Sequence, residues 1–218
     1  DKYLVGASIR RDGISRFTPE NRWATFMSGS FGWIISEEKF FAVKPISLLK
    51  LRGSFGQTGN TNIPSGITTD SWSITSGTNT LEGNNNTLLE SIGNSDIKWE
   101  TTNSLDFGID FGLFSNRVNG SLAYYEQKVS DMLLAVTLPP SAGIRGGNSC
   151  WQNIGDMKNM GLEFNMDAVL LNKKDFTWSA GFNISTNKNE VLALDAESDA
   201  KGVGILQEGE GGVVRTIT

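Results

Sequence analysis

Alternation constrains this chain more than any other feature. Residues 97–128 read IKWETTNSLDFGIDFGLFSNRVNGSLAYYEQK. Every second residue gives Ile97, Trp99, Thr101, Asn103, Leu105, Phe107, Ile109, Phe111 and Leu113, a largely apolar set. Between them fall Lys98, Glu100, Thr102, Ser104, Asp106, Gly108, Asp110 and Gly112. Side chains change face at each residue only in an extended strand, so this is a β-strand with one apolar and one wet side. The turn formers in Phe114-Ser115-Asn116-Arg117 reverse the chain, which returns with Val118, Gly120, Leu122 and Tyr124 on one face and Asn119, Ser121, Ala123 and Tyr125 on the other. The outgoing strand runs roughly seventeen residues, about 55 Å at ~3.3 Å each, whereas soluble strands average about five or six residues. A tilted strand crosses a bilayer in about 9–11 residues. A long strand of a soluble β-sandwich would alternate too, and at this point both readings stand.

Composition narrows the function classes. The chain has 218 residues, 38% hydrophobic, 10% aromatic, with 25 glycines. Half of each strand of a membrane barrel faces water, so modest apolar content with many glycines and aromatics fits one. No apolar run approaches the ~18 residues of a transmembrane helix. A formal charge of −5 argues against nucleic-acid binding. The single cysteine, Cys150, excludes an intrachain disulfide framework. With no histidine, the chain cannot supply Ser-His-Asp or Cys-His catalysis, histidine-ligated zinc or haem, or a histidine pH switch.

The same alternation recurs along the chain. Strands are expected at about 2–11, 23–36, 48–58, 157–171 and 176–187, with a short one near 70–75. Faces are set by Tyr3, Val5, Ala7 and Ile9; by Met27, Phe31, Trp33 and Ile35; by Leu49, Leu51 and Phe55; by Met160, Leu162, Phe164, Met166 and Leu170; and by Phe176, Trp178, Phe182 and Ile184. Leu105, Phe107, Ile109, Leu162, Phe164 and Phe182 are expected toward lipid, and Asp106, Gly108, Asp110, Glu163 and Asn183 toward a lumen. Residues 37–47, with room for one helical turn, 59–95 and 135–155 are read as connections. Connections after odd-numbered strands are long and polar and the others short, as in outer-membrane barrels. Trp23, Trp99, Phe111, Phe114 and Trp178 are candidates for an interfacial girdle. The expected fold is all-β: about seven antiparallel up-and-down strands forming part of a transmembrane barrel. Barrels must close in lipid, so more wall is expected elsewhere; both ends look cut, as in a fragment. The glycine and serine within the strands suggest a wide lumen filled by something else.

Particular stretches then resemble a family. ASIRRDGISRFTPENRWATF, GWIISEEKFF, LKLRGSFGQTGN, IKWETTNSLDFGIDFGLFSNRVNGSLAYYEQKVSDMLL, NIGDMKNMGLEFNM and NKNEVLAL are similar, in order, to blocks of SusC/RagA-type TonB-linked outer-membrane proteins of Bacteroidota, up to about Leu194. Met27 stands where proline is expected, Ile14 where serine is, and Thr18-Pro19 in place of a glycine. The resemblance implies the later half of a 22-stranded barrel filled by a plug, importing oligosaccharides or peptides. It also implies as partners a SusD-type surface lipoprotein, the TonB–ExbB–ExbD complex acting through the plug, and outer-membrane lipid. A β-rich surface glycan-binding module without transport activity is the alternative, and a hydrolase barrel a third.

No residue is singled out as catalytic, metal-binding or cofactor-binding. Glu100, Asp106 and Asp110 share a strand face, as do Glu163 and Asp167, but a hydrated lumen wall explains them better than a glycosidase pair. Asp195, Glu197 and Asp199 lack the EF-hand spacing. The glycines at 143–147 and 209–212 do not join a strand to a helix, so they are not phosphate loops. The Asn-X-Ser/Thr triplets at Asn85, Asn119 and Asn183 carry no weight in this setting. Trp72 and Trp151 in outer loops are candidates for stacking on sugar rings or for anchoring loops, and the substrate-binding residues stay unassigned.

Overall fold

The computed structural model describes residues 1–75, 86–144 and 149–193. In chain order the strands are β1 (Tyr3–Gly13), β2 (Trp23–Ile34), β3 (Ile46–Asn60), β4 (Ser71–Thr75), β5 (Asn86–Ser91), β6 (Glu100–Leu113), β7 (Val118–Ser130), β8 (Leu133–Thr137), β9 (Ser149–Asn153), β10 (Asp156–Lys173) and β11 (Phe176–Ala193). Seven of them form one antiparallel sheet, in the order β1-β2-β3-β6-β7-β10-β11. Each strand pairs with the next long strand in the chain, which makes the sheet an up-and-down meander. Two small hairpins, β4-β5 and β8-β9, sit inside the longest connections. Pro19, Pro45, Pro64, Pro139 and Pro140 all fall between strands, where no ladder donor is lost.

Register carries the alternation across the sheet. Phe107 stands opposite Gly53 on β3 and Tyr124 on β7, and Tyr124 opposite Leu162 on β10. Phe164 continues that face opposite Leu122 and Ile184. Rings meet along it, Phe111 stacked on Phe164 at 6.4 Å and Phe164 tilted against Phe182 at 6.3 Å. Asp106, the residue before Phe107, lies on the other face, where Arg52 of β3 reaches it. The expected faces therefore hold, Glu163 and Asn183 included.

Among the described residues nothing covers the apolar face. Phe107 is 55% exposed and Phe182 equally so, and no second sheet packs on them among the described residues. A soluble sandwich would bury such a face. From Leu105 to Leu113 the apolar stretch of β6 is roughly 26 Å long at ~3.3 Å per residue, which at a tilt of about 40° spans about 20 Å of the ~25 Å apolar band of outer-membrane barrels. Above it the same face turns polar, with Glu126–Lys158, Lys128–Asp156 and Lys188–Glu190 ion pairs. Aromatics mark the opposite rim: Tyr3, Phe114, Phe176 and Trp178 are all exposed.

Differences from the sequence expectation have local causes. The outgoing hairpin strand begins at Glu100, because Ile97 turns inward and is fully buried. The helical turn of the second connection is a 3-10 turn at its start, Ile35–Glu37. Of the four short strands in the long connections, the three besides β4 went unread because strands of five or six residues carry little periodicity. On β10 a register shift between Val169 and Leu171 breaks the alternation, so Leu171 rather than Leu170 pairs with Trp178. The Arg117 guanidinium donates to the Val169 and Leu170 carbonyls there, at 3.3 and 3.1 Å, stabilising the bulge.

The strand glycines have a second explanation besides a wide lumen. Large side chains lie over glycines on the neighbouring strand: Phe107 over Gly53, Phe111 over Gly120, Tyr125 over Gly161 and Arg52 over Gly108. A glycine leaves the space that a bulky cross-strand partner fills. The rule operates on both faces.

Candidate functional site

The polar face carries one dense charge cluster. Arg52 and Lys50 are alternate residues of β3, and Asp106 and Asp110 flank Gly108 on β6. Arg52 is in register with Gly108, which lets its guanidinium cross β6 between the two acids. Its Nη1 donates to Asp106 Oδ1 at 2.6 Å and its Nε to Asp110 Oδ1 at 3.3 Å. Lys50 Nζ lies 3.9 Å from Asp110 Oδ2. A Cβ on residue 108 would come 2.6 Å from Arg52 Cζ, so the glycine is required for this bridge. A hollow of about 350 Å³ opens beside it, lined by Gly6, Ser30, Lys50, Arg52 and Asp106 among others.

Chemically this cluster is a clamp. Both carboxylates are engaged by cations of this same chain, Asp106 by Arg52 and Asp110 by Arg52 and Lys50. Glu100, on the same strand face, lies at the far end of β6, where it accepts from Asn60 Nδ2 at 2.9 Å and from the Leu133 amide at 3.0 Å. The three carboxylates grouped by the sequence thus belong to two separate sites. Glu163 and Asp167 stand on β10, away from the clamp. Arg52 had no distinction in the sequence beyond its polar-face parity; the pairing spans 54 and 58 residues and follows only from register.

A second candidate region is the loop end of the sheet. Phe17, Ile63, Ile97 and Leu133, one from each of four chain segments, form the buried cluster, with Ile14, Ile67, Trp99 and Trp151 packed around them. Trp99 meets Phe17 and Phe26 edge-on at 5.9 and 5.6 Å, so it is a loop-core residue and leaves the expected girdle. Polar contacts join the same segments. Arg16 Nη1 donates to the Ile63 carbonyl at 2.8 Å, and Asn94 Nδ2 to that of Trp151 at 3.0 Å. Asn153 Nδ2 donates to the Lys98 and Asp131 carbonyls at 2.9 and 2.8 Å. The connections at this end are thereby one packed layer. Trp151 is packed within it, whereas Trp72 on β4 is exposed.

At the other end the 35–45 connection is tied down by Glu38. Its carboxylate accepts from Tyr3 Oη at 2.6 Å, from Trp33 Nε1 at 3.2 Å and from Lys2 Nζ at 3.2 Å. The Tyr3 hydroxyl foremost, then the Trp33 indole, hold this carboxyl below the usual carboxylate range. No group of three or more potential ligands capable of holding a metal ion occurs among the described residues. Asp195, Glu197, Asp199, Asn85, Arg145 to Gly147 and the 209–212 glycines lie outside them.

This architecture recurs in known proteins. The family model described as TonB dependent receptor-like, beta-barrel matches residues 1–205. TonB-dependent receptor P3 of Formosa agariphila is 37% identical over 91% of this chain and 20% of its own length. TonB-dependent receptor SusC of Bacteroides thetaiotaomicron is 35% identical over 92% of the chain and 20% of its own. Among solved structures, the RagAB peptide importer in its open-open state superposes with a TM-score of 0.82 at 27% identity, covering 99% of this chain and 22% of that one. The chain thus spans about a fifth of the length of these relatives. The SusC/RagA resemblance of the sequence blocks is upheld: the chain belongs to the TonB-dependent receptor-like β-barrel family, a family of outer-membrane proteins and not of enzymes.

Proposed function

We propose that this chain is a wall segment of a TonB-energised outer-membrane importer of bulky nutrients, oligosaccharides or peptides. In this reading residues 1–218 are part of one barrel domain, and the plug and remaining strands belong to the rest of the protein. The observation that carries it is the pairing of an uncovered apolar face with a hydrated, charged face on one seven-stranded sheet. The apolar face meets lipid, and the Arg52 clamp faces the lumen. Such a wall has to close around something. Support for the cargo class comes from the RagAB peptide importer and SusC as relatives.

The outer membrane holds no nucleotide supply, so opening a plugged barrel draws energy from TonB–ExbB–ExbD through the plug. A SusD-type lipoprotein covers the mouth that the packed loop layer forms. Trp72 is the loop tryptophan that reaches cargo. The glycan-binding module without transport activity would need a second layer over the apolar face. Deleting the gene in the parent bacterium should abolish growth on one glycan or peptide source while sparing its monomers, and deleting the cognate TonB should reproduce the defect. Unimpaired uptake of every polymer tested, or uptake without TonB, would overturn the proposal.

A further inference from the structure

We infer that the 35–45 connection is a membrane foot, lying on phospholipid headgroups at the turn end of the wall, with Phe40 and Val43 dipping toward the acyl chains and Lys39 and Lys44 beside the phosphates. The first ground is where the segment is fastened. Glu38 bonds to Tyr3 Oη and Trp33 Nε1, and these two residues pair in register on the apolar face, their rings stacked at 6.3 Å. The connection is therefore held against the outside of the rim, on the side of the lipid band. Tyrosine and tryptophan place an apolar ring in lipid and a polar tip at its surface, which fixes the depth of Glu38 at that surface.

The second ground is the shape and chemistry of the segment itself. Amide donations from Phe41 to the Glu38 carbonyl at 3.0 Å and from Ile46 to that of Val43 at 3.1 Å make two consecutive turns. Pro45 accepts from the Phe114 amide at 2.8 Å, which joins the segment to the next turn along the rim. So held, Phe40 stays 70% exposed and Val43 47% exposed. They continue the row of exposed aromatics Tyr3, Phe114, Phe176 and Trp178. Lys39 and Lys44 flank the two apolar residues and are exposed. Among the described residues neither enters an ion pair. Glu37 is the exposed acid nearby, and Glu38 is already engaged by Lys2. Apolar side chains between two lysines on a constrained segment are the composition of an interfacial anchor, in which long cationic side chains reach up to phosphate.

The inference rests on the wall reading, and the test separates the two. In the full-length protein with native cysteines replaced by serine, Ala42→Cys, Phe107→Cys and Glu20→Cys are each labelled with bimane. The samples are placed in nanodiscs of phosphatidylethanolamine and phosphatidylglycerol carrying bromine either near the headgroup or near the chain ends. Position 42 should be quenched at least twofold more by the shallow bromines than by the deep ones. Position 107 should show the reverse preference, and position 20, in a loop-end connection, neither. Phe40→Ser with Val43→Ser should remove at least half of the quenching at 42. Lys39→Glu with Lys44→Glu should reduce it where phosphatidylglycerol is present. An unquenched label at 42 beside a deeply quenched 107 would overturn the foot alone, whether water or another protein covers it. An unquenched 107 would overturn the wall reading and the foot with it.

Discussion

The wall and the loop layer of this molecule are built by opposite rules. In the loop layer, apolar side chains are hidden: Ile97 is 0% exposed and Phe17 2%, and the contacts that hide them cross from one connection to another. In the wall the large residues stay out, Phe107 and Phe182 more than half exposed, and cohesion between strands comes from the backbone ladder and from side chains laid over glycines. Water drives the first by the ordinary hydrophobic effect, about 1.5–3 kcal/mol for a fully buried isoleucine. The second is stable only where lipid replaces water on the apolar side. The two regions should therefore respond to different substitutions.

The largest effect is expected in the loop layer. Ile97→Ala should cost about 2–5 kcal/mol through lost contact and a residual cavity, and the loss should stay local. Amide exchange in the 14–22 and 61–67 connections should accelerate while the heat-resistant barrel fraction is unchanged. Exchange that accelerates equally in β6 would break the distinction. In the wall the sign of sensitivity reverses, because an exposed position becomes the intolerant one. Phe107→Arg should destabilise the inserted barrel by roughly 2–4 kcal/mol near mid-membrane, and Ser104→Arg much less, as read from heat-modifiable gel mobility. Equal losses in the two variants would contradict the assigned faces.

The same contrast explains what could be read in advance. Period-two alternation marks all seven wall strands, because each strand has one face in lipid and one in water and successive residues point to them in turn. Residues of the loop layer obey no period. Ile97 and Trp99 extend the alternating pattern of β6 by accident of spacing, yet they fold into the loop cluster with Phe17 and Phe26. Trp151 and Trp72 look alike in sequence, and only packing separates the packed ring from the exposed one. The Arg52 clamp needs a register that joins residues 54 and 58 apart, and the β10 bulge needs Arg117 from another strand. Neither leaves a local trace. The family blocks include Arg52, Asp106, Asp110 and Arg117 without displaying their pairing, and the β10 block stops at Met166, short of the bulge.

Smaller effects sharpen the comparison. Gly108→Ala puts a methyl where the Arg52 guanidinium lies, and the clamp should be displaced at a cost of about 1 kcal/mol, since both partners are partly solvated. A lowered urea midpoint for unfolding from vesicles, reproduced by Arg52→Ala, would bear this out, and an unchanged midpoint in both would count against it. Least in energy is the Glu38 tie at the turn end. Because its folded carboxyl is held below the usual range by Tyr3, Trp33 and Lys2, its contribution is present above the unfolded value of about 4.3. It is lost as pH falls through the lower folded value. Amide exchange of the 35–45 segment, corrected for intrinsic rate, should rise on acidification in the native protein and lose that dependence in Glu38→Gln. A rise of the same size in Glu38→Gln would point to another titrating group.

The central claim is that one sheet separates lipid from water at each residue of β6. Single cysteines from Ser104 to Phe111, in a cysteine-free full-length protein in outer-membrane vesicles, can be challenged with a charged, membrane-impermeant maleimide after the membrane is made leaky to it. Positions 104, 106, 108 and 110 should react and 105, 107, 109 and 111 should stay protected, in strict alternation. Uniform reactivity along the strand, or the opposite phase, would contradict the account.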